Sequence, residues 1–211
     1  MEDYYEKILE KALTITGFCR TKHLTNLLLG AAVGDICGST YEFAPCKDYD
    51  VLDITREESD YTDDSVCTFA VAKALMDGED MTRCLQTFCR NDFLRGYGNR
   101  FSKWLFEPNP KPYNSYGNGS AMRCSAAGFM AKSKEECVYR AEKTAECTHN
   151  HPEGIKGAVA MSLAIFYLKQ GKDKDFVRKN ILDFYYPEWS DFTIDGLRAG
   201  YSFDESCQRS V

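Results

Sequence analysis

Two adjacent carboxylates flanked by two hydroxyls, Thr62-Asp63-Asp64-Ser65, stand where a charged stretch at 56–61 gives way to an apolar run at 66–76. All four side chains offer hard oxygen donors, the kind that Mg²⁺ or Mn²⁺ prefers. The same residue types cap helices, because they accept hydrogen bonds from unpaired N–H groups and complement the helix dipole. Both roles are compatible at one helix start. Three further polar clusters interrupt the apolar pattern. Gly34-Asp35 with Gly38-Ser39-Thr40-Tyr41-Glu42-Phe43 places the Glu42 carboxylate just beyond a helix end. There it can ligate a metal, handle a proton or remain a solvated loop acid. Ser115-Tyr116-Gly117-Asn118-Gly119-Ser120-Ala121-Met122-Arg123 leads two glycines and two hydroxyls into a small-residue helix expected over 121–131. N–H groups exposed at such a start suit phosphate, Arg123 adds charge, and Tyr116 can stack on a base or cover a ribose. The alternative is a plain type I′ or II′ turn around Asn118-Gly119. Finally, Thr148-His149-Asn150-His151-Pro152-Glu153-Gly154 holds two of the three histidines. His151 is placed to cap the helix that Pro152 opens, and His149 to bond a ligand oxygen; no third nitrogen or sulfur ligand accompanies them, which speaks against zinc.

The elements that must position these clusters read as helical nearly throughout. Tyr5, Ile8, Leu9 and Ala12 mark a first amphipathic helix, and residues 24–37 form one that is apolar on most sides and therefore central. Gly30, Gly34 and Gly38 leave a bare backbone strip on it, for close helix packing or close approach of a ligand. The acidic pair opens a helix that Asp77-Gly78 ends, and Leu85 and Phe88 belong to the next. Pro108, Pro110 and Pro112 impose an irregular stretch. Ser133 with Glu136 is a capping box, Pro152 opens a helix stopped at Gly171, and Phe176, Val177, Ile181 and Leu182 form a last one. No strand alternation spans four residues or more, so the fold class expected is all-α, in one domain over residues 1–211.

Composition narrows the function classes. With 44% apolar residues in 211, the chain can bury a sizeable core. A net charge of −6 and the lack of a basic stripe argue against a nucleic-acid surface or an anionic membrane as partner. The acidic start Met1-Glu2-Asp3 is neither signal nor transit peptide, and no run approaches the ~18 apolar residues of a membrane span. The ten cysteines show no CxxC pair and fall mostly in helical segments, so reduced, buried thiols in a cytoplasmic protein are expected.

Taken in order, five strings carry a resemblance: Gly30-Ala31-Ala32-Val33-Gly34-Asp35 with the run to Phe43; Tyr61 to Val66; Ser115 to Arg123; Thr148 to Gly157; and Ser206-Cys207-Gln208-Arg209-Ser210-Val211. Over residues 24–211 the chain resembles the ADP-ribosylglycohydrolase family, of the dinitrogenase-reductase-activating glycohydrolase type. The resemblance implies an orthogonal multi-helix bundle with a binuclear Mg²⁺ or Mn²⁺ centre in a cleft. It implies hydrolysis of the N- or O-glycosidic bond between ADP-ribose and an acceptor. By position, Thr62, Asp63 and Asp64 look like metal ligands, and Glu42 and Asp63 like catalytic groups. Ser115, Tyr116, Gly117, Asn118 and Gly119 resemble the ADP-ribose-holding loop, and His149 a ligand-contacting histidine. Relatives of this type complete the metal centre with a later Gly-Asp-x-Asp-Thr motif. This chain contains no Asp-x-Asp-Thr, since Asp173-Lys174-Asp175 is followed by Phe176, and Arg209 stands where close relatives usually carry Gly. A C-terminally truncated member without the last helices is therefore expected, with half a metal centre, impaired turnover and apolar surface open to self-association. A non-catalytic ADP-ribose or nucleotide-binding module, or a structural homologue, is the alternative.

Overall fold

A computed structural model describes residues 22–48, 53, 56–191, 193, 195–196, 200 and 204–210. The architecture is all-α. Helix α1 spans Lys22–Gly38, α2 Asp63–Asp77, α3 Met81–Asn91, α4 Asn99–Leu105, α5 Ser125–Met130, α6 Lys134–Glu146 and α7 Pro152–Lys169. Among the described residues the sole strand-like pairing is an isolated bridge between Gly117 and Ser206.

Helix α2 lies at the centre, which explains why its sequence is apolar nearly all round rather than striped. One side sends Val66, Cys67, Ala70 and Val71 against Leu85 and Cys89 of α3 and Phe101, Trp104 and Leu105 of α4. The other packs Phe69 and Ala72 on Leu28, Ala32 and Ile36 of α1 and Ala126 of α5. A second core joins Cys137 and Ala141 of α6 to Val159, Ala160, Leu163 and Phe166 of α7. Where α5 crosses α7, a Cβ on Gly128 would stand 2.1 Å from the Ser162 carbonyl oxygen, so only glycine permits this approach. Small residues thus let α5 tie the two cores together.

Local chemistry sets the helix ends. Gly78, at φ 68°, closes α2 in the left-handed region. Asp80 caps α3 by accepting from the Arg83 N–H at 2.8 Å. Ser133 accepts from Glu136 N–H at 3.1 Å, and Glu136 Oε2 reaches back to the Lys132 N–H at 2.8 Å, one residue beyond the usual capping box. His151 caps α7, its Nδ1 accepting from Glu153 N–H at 3.1 Å.

Five expectations are corrected, refined or fall elsewhere. The helix expected over 121–131 begins only at Ser125, because Asn118–Ser120 form a 3₁₀ turn. The Asn118 carbonyl takes the N–H groups of both Ala121 (2.8 Å) and Met122 (3.0 Å), and the bend that follows carries Arg123 into the interior. Nor is the Asn118-Gly119 step a primed turn, since neither residue has positive φ. A Cβ added to Gly30, Gly34 or Gly38 of α1 would meet no described atom within 4 Å, so among the described residues this strip makes no close helix packing. The last helix starts at Lys174–Val177 and widens into a π-helical turn at Arg178–Leu182. The first amphipathic helix, around Tyr5 to Ala12, lies outside the described residues. All nine described cysteines are free, six of them buried. No helix of the described residues is long and apolar enough to cross a membrane.

Candidate functional site

The start of α2 is held by a residue from α1. Asp35 accepts four hydrogen bonds: from Thr62 N–H (2.8 Å) and Oγ1 (2.7 Å), and from Ser65 N–H (3.2 Å) and Oγ (2.6 Å). Thr62, the N-cap, in turn accepts from Asp64 N–H at 3.3 Å, while Asp63 N–H donates to the Arg95 carbonyl at 2.9 Å. Arg95 is itself fixed by Asp60 (2.8 Å) and Asp92 (2.9 Å) and lies over the Tyr61 ring at 3.5 Å. The turn after it passes over Asp63 through Gly96, whose φ of 91° is one that only glycine adopts without strain. The backbone of the acidic pair is therefore clamped from two sides.

That clamp leaves the two carboxyls facing a cavity of about 410 Å³, within the range of small-molecule sites. Its lining includes the acids Glu42, Asp63, Asp64 and Glu205, the arginines Arg100 and Arg123, and Ser115, Gly117, Asn118, Gly119 and His149. Burial, then the neighbouring Asp64 and Glu42 charges, push Asp63 up to about 8. Burial, then Asp35 and Glu42, push Asp64 up to about 7. Glu42, beyond the 3₁₀ turn Ser39–Tyr41 that continues α1, is raised by burial of its carboxyl and by Asp35 and Glu205. The cluster is thus a concentration of carboxyls that no cation pairs with among the described residues.

The opposite wall is loop 115–119. It is anchored on one side by Tyr113 N–H to the Thr148 carbonyl (3.3 Å) and Asn114 N–H to Asn150 Oδ1 (2.8 Å). On the other side, Asn118 N–H donates to the Glu205 carbonyl (2.7 Å) and Cys207 N–H to that of Tyr116 (3.0 Å). Cys207 Sγ donates to the Gly117 carbonyl at 2.9 Å, buried against α7. Gly119 crosses directly above His149, where a Cβ would stand 3.0 Å from the imidazole Nε2 and Cε1. Burial, with Arg123 and Arg100 nearby, drives the His149 pKa down to about 2, so the ring is neutral.

Most residues singled out from sequence converge here. Glu42, Asp63, Asp64, Ser115, Gly117, Asn118, Gly119 and His149 all line the cavity. Two do not. The Thr62 hydroxyl is turned to Asp35, with one lone pair left for any cation, and Tyr116 is 57% exposed with its ring against His151, 5.4 Å between centroids. The phosphate-suited N–H groups are also fewer than expected, because those of Gly117 and Asn118 are taken by Ser115 Oγ (3.2 Å) and the Glu205 carbonyl. Asp35 and Glu205 escaped the sequence reading as site residues. A lone acid near the end of an apolar helix was the available signal for Asp35; Glu205 carried none.

The donor set fits a hard divalent cation: two carboxyls raised by burial and by neighbouring acids, with hydroxyl and carboxylate oxygens around them. Among the described residues no group of three or more His, Cys, Asp or Glu is arranged to hold a metal ion by itself.

The ADP-ribosylglycohydrolase family model matches residues 20–208. The chain belongs to this family. Individual relatives are more distant. ADP-ribosylhydrolase ARH3 of Homo sapiens is 29% identical over 184 residues, covering 69% of this chain and 49% of that protein. The Gallus gallus protein of the same name is 29% identical over 182 residues (69% and 50% covered), and that of Xenopus tropicalis 26% over 174 (69% and 50%). The chain therefore spans about half the length of the curated relatives it matches.

Proposed function

We propose that the cavity binds ADP-ribose and belongs to a hydrolase that cuts the glycosidic bond between ADP-ribose and an acceptor. The observation that carries this reading is the cavity's mixed lining: four acids and two arginines, with a neutral histidine and a braced glycine loop. A ligand with an anionic middle and a hydroxyl-rich sugar matches that combination. In this reading its phosphates face Arg100, Arg123 and loop 115–119, and its ribose hydroxyls face Glu42, Asp63 and Asp64.

Asp63 and Asp64, with the remaining lone pair of Thr62, would hold a Mg²⁺ or Mn²⁺ ion. Such an ion supplies positive charge that offsets the negative charge developing as the bond breaks. Glu42 stands at the rim with a carboxyl that keeps its proton closer to neutral pH than an ordinary glutamate. It is the group suited to pass a proton to the leaving acceptor or take one from the attacking water. Asp63 and Asp64 orient what lies between them only when deprotonated, so function should strengthen as pH rises through 7 and 8.

We take the acids described to be half of a two-cation ligand set. A pure binding module is the second reading, favoured by the lack of a closed metal cage among the described residues. Incubation with Mg²⁺ and an ADP-ribosylated peptide separates them. Slow release of free ADP-ribose that Asp63→Asn abolishes supports a hydrolase site. Binding of ADP-ribose with no release at all supports the module, and failure to bind ADP-ribose sinks both.

A further inference from the structure

Arg123 is 1% exposed, yet it forms no ion pair among the described residues. Its Nε and Nη2 donate to the Thr144 carbonyl (3.3 and 2.8 Å), and Nη2 also to Thr148 Oγ1 at 2.7 Å. A guanidinium has no acceptor, so Thr148 Oγ1 must be the acceptor in that contact. Thr148 is fully buried, and its own hydroxyl proton needs a partner. The partner on hand is His149 Nδ1, 2.7 Å away. A hydroxyl already polarised by a cation is a better donor, which strengthens this direction of the chain. The reverse arrangement, with the proton on Nδ1, would make Thr148 accept twice and leave its buried proton only the Cys147 sulfur, a weak acceptor. That defect disfavours it by about tenfold or more in population.

We propose that Arg123 and Thr148 are positioning residues that fix His149 with its proton on Nε2, held out under loop 115–119 as a hydrogen-bond donor to a ligand oxygen. Nε2 is on the cavity side: it lies 3.0 Å from the Cβ position of Gly119 and 3.8 Å from that of Gly117, and it bonds no described protein group. The low basicity of the ring fits, because a histidine beside two arginines and out of water stays neutral. His149 is then a fixed donor, not a general base. The cavity accordingly selects ligands that present an acceptor oxygen at that point. Only the identity of that ligand, ADP-ribose, rests on the function proposed above.

Long-range ¹H–¹⁵N spectra of the uniformly labelled chain test this without any ligand. There are three histidines, so His149 is assigned after His23→Gln and His151→Gln. The expected wild-type signal is the Nε2–H tautomer, unchanged from about pH 5 to about pH 8, where an ordinary histidine titrates. Thr148→Ser should preserve it, and Thr148→Val should give a mixture with the Nδ1–H form. In calorimetry, Thr148→Val should weaken ADP-ribose binding by about three- to tenfold and Thr148→Ser should restore it, the size expected for one neutral hydrogen bond. An Nδ1–H signal in the wild-type chain overturns the proposal, as does a Thr148→Val spectrum identical to wild type. A wild-type chain with the expected signal but no affinity for ADP-ribose would uphold the relay and sink the functional reading alone.

Discussion

Replacing Asp35 by alanine should damage the site from a distance. The carboxylate accepts all four of its hydrogen bonds from Thr62 and Ser65, across 27 and 30 residues of sequence. Its loss strands two first-turn N–H groups of α2 and two hydroxyls in a half-buried place. Hydrogen bonds to a charged group contribute about 1.5–3 kcal/mol each, but four that share one carboxylate do not add. A total of about 3–4 kcal/mol is reasonable, of the order of a strong cap plus one charged bond. Removing the negative charge also relieves repulsion, because Asp35 is one of the charges that raise Asp64, Asp63 and Glu42. That relief offsets on the order of 1 kcal/mol. The net loss of about 2–3 kcal/mol corresponds to a Tm lower by about 5–10 °C for a chain of this size. Asp35→Asn keeps one acceptor oxygen and removes the charge, so it should lose roughly half as much. Thermal melts followed by helical circular dichroism at neutral pH measure both. A fall below about 2 °C for Asp35→Ala would refute the clamp. So would an asparagine variant as damaged as the alanine one, since it would make charge rather than bonding geometry the decisive property.

Two other outcomes follow from the same structure. Asp63 and Asp64 bind protons more tightly folded, at about 8 and about 7, than unfolded, near their ordinary 3.8. Their contribution to stability is therefore complete below about pH 4 and lost as pH rises through 7 and 8. Urea midpoints should fall between about pH 5 and about pH 8, Mg²⁺ should reverse the fall at the upper end only, and Asp63→Asn with Asp64→Asn should flatten it. A wild-type pH slope that survives the double substitution would contradict the assignment. Gly128→Ala drives a methyl group to 2.1 Å from the Ser162 carbonyl oxygen and should cost about 2–3 kcal/mol of unfolding free energy; a variant as stable as wild type would show that α5 can shift freely on α7.

What was legible in sequence was local. Thr62-Asp63-Asp64-Ser65 announces a cap and an acidic pair within four residues, and both are present. The Ser133 and Pro152 helix starts likewise need only neighbours in the chain. The missing parts depend on distant partners. Asp35 was part of a recognised string, but its role depends on bonds to residues 62 and 65, which the string does not encode. Glu205 enters the cavity because the segment before Cys207 pairs with loop 115–119, a match of backbone groups without a side-chain signature. The helix expected from Ala121 failed for a tertiary reason. Small residues there favour helix, but burying Arg123 against the Thr144 carbonyl requires the chain to bend before Ser125.

The central claim is that the acidic cluster and the glycine loop lining the cavity act on one ligand. Calorimetric titration of ADP-ribose, with and without Mg²⁺, tests it on the wild-type chain and on Asp63→Asn and Asn118→Ala. The account predicts binding that Mg²⁺ strengthens, a Mg²⁺ effect that vanishes in Asp63→Asn, and weaker binding in Asn118→Ala whether or not Mg²⁺ is present. Equal affinity in all three chains, indifferent to Mg²⁺, would contradict it.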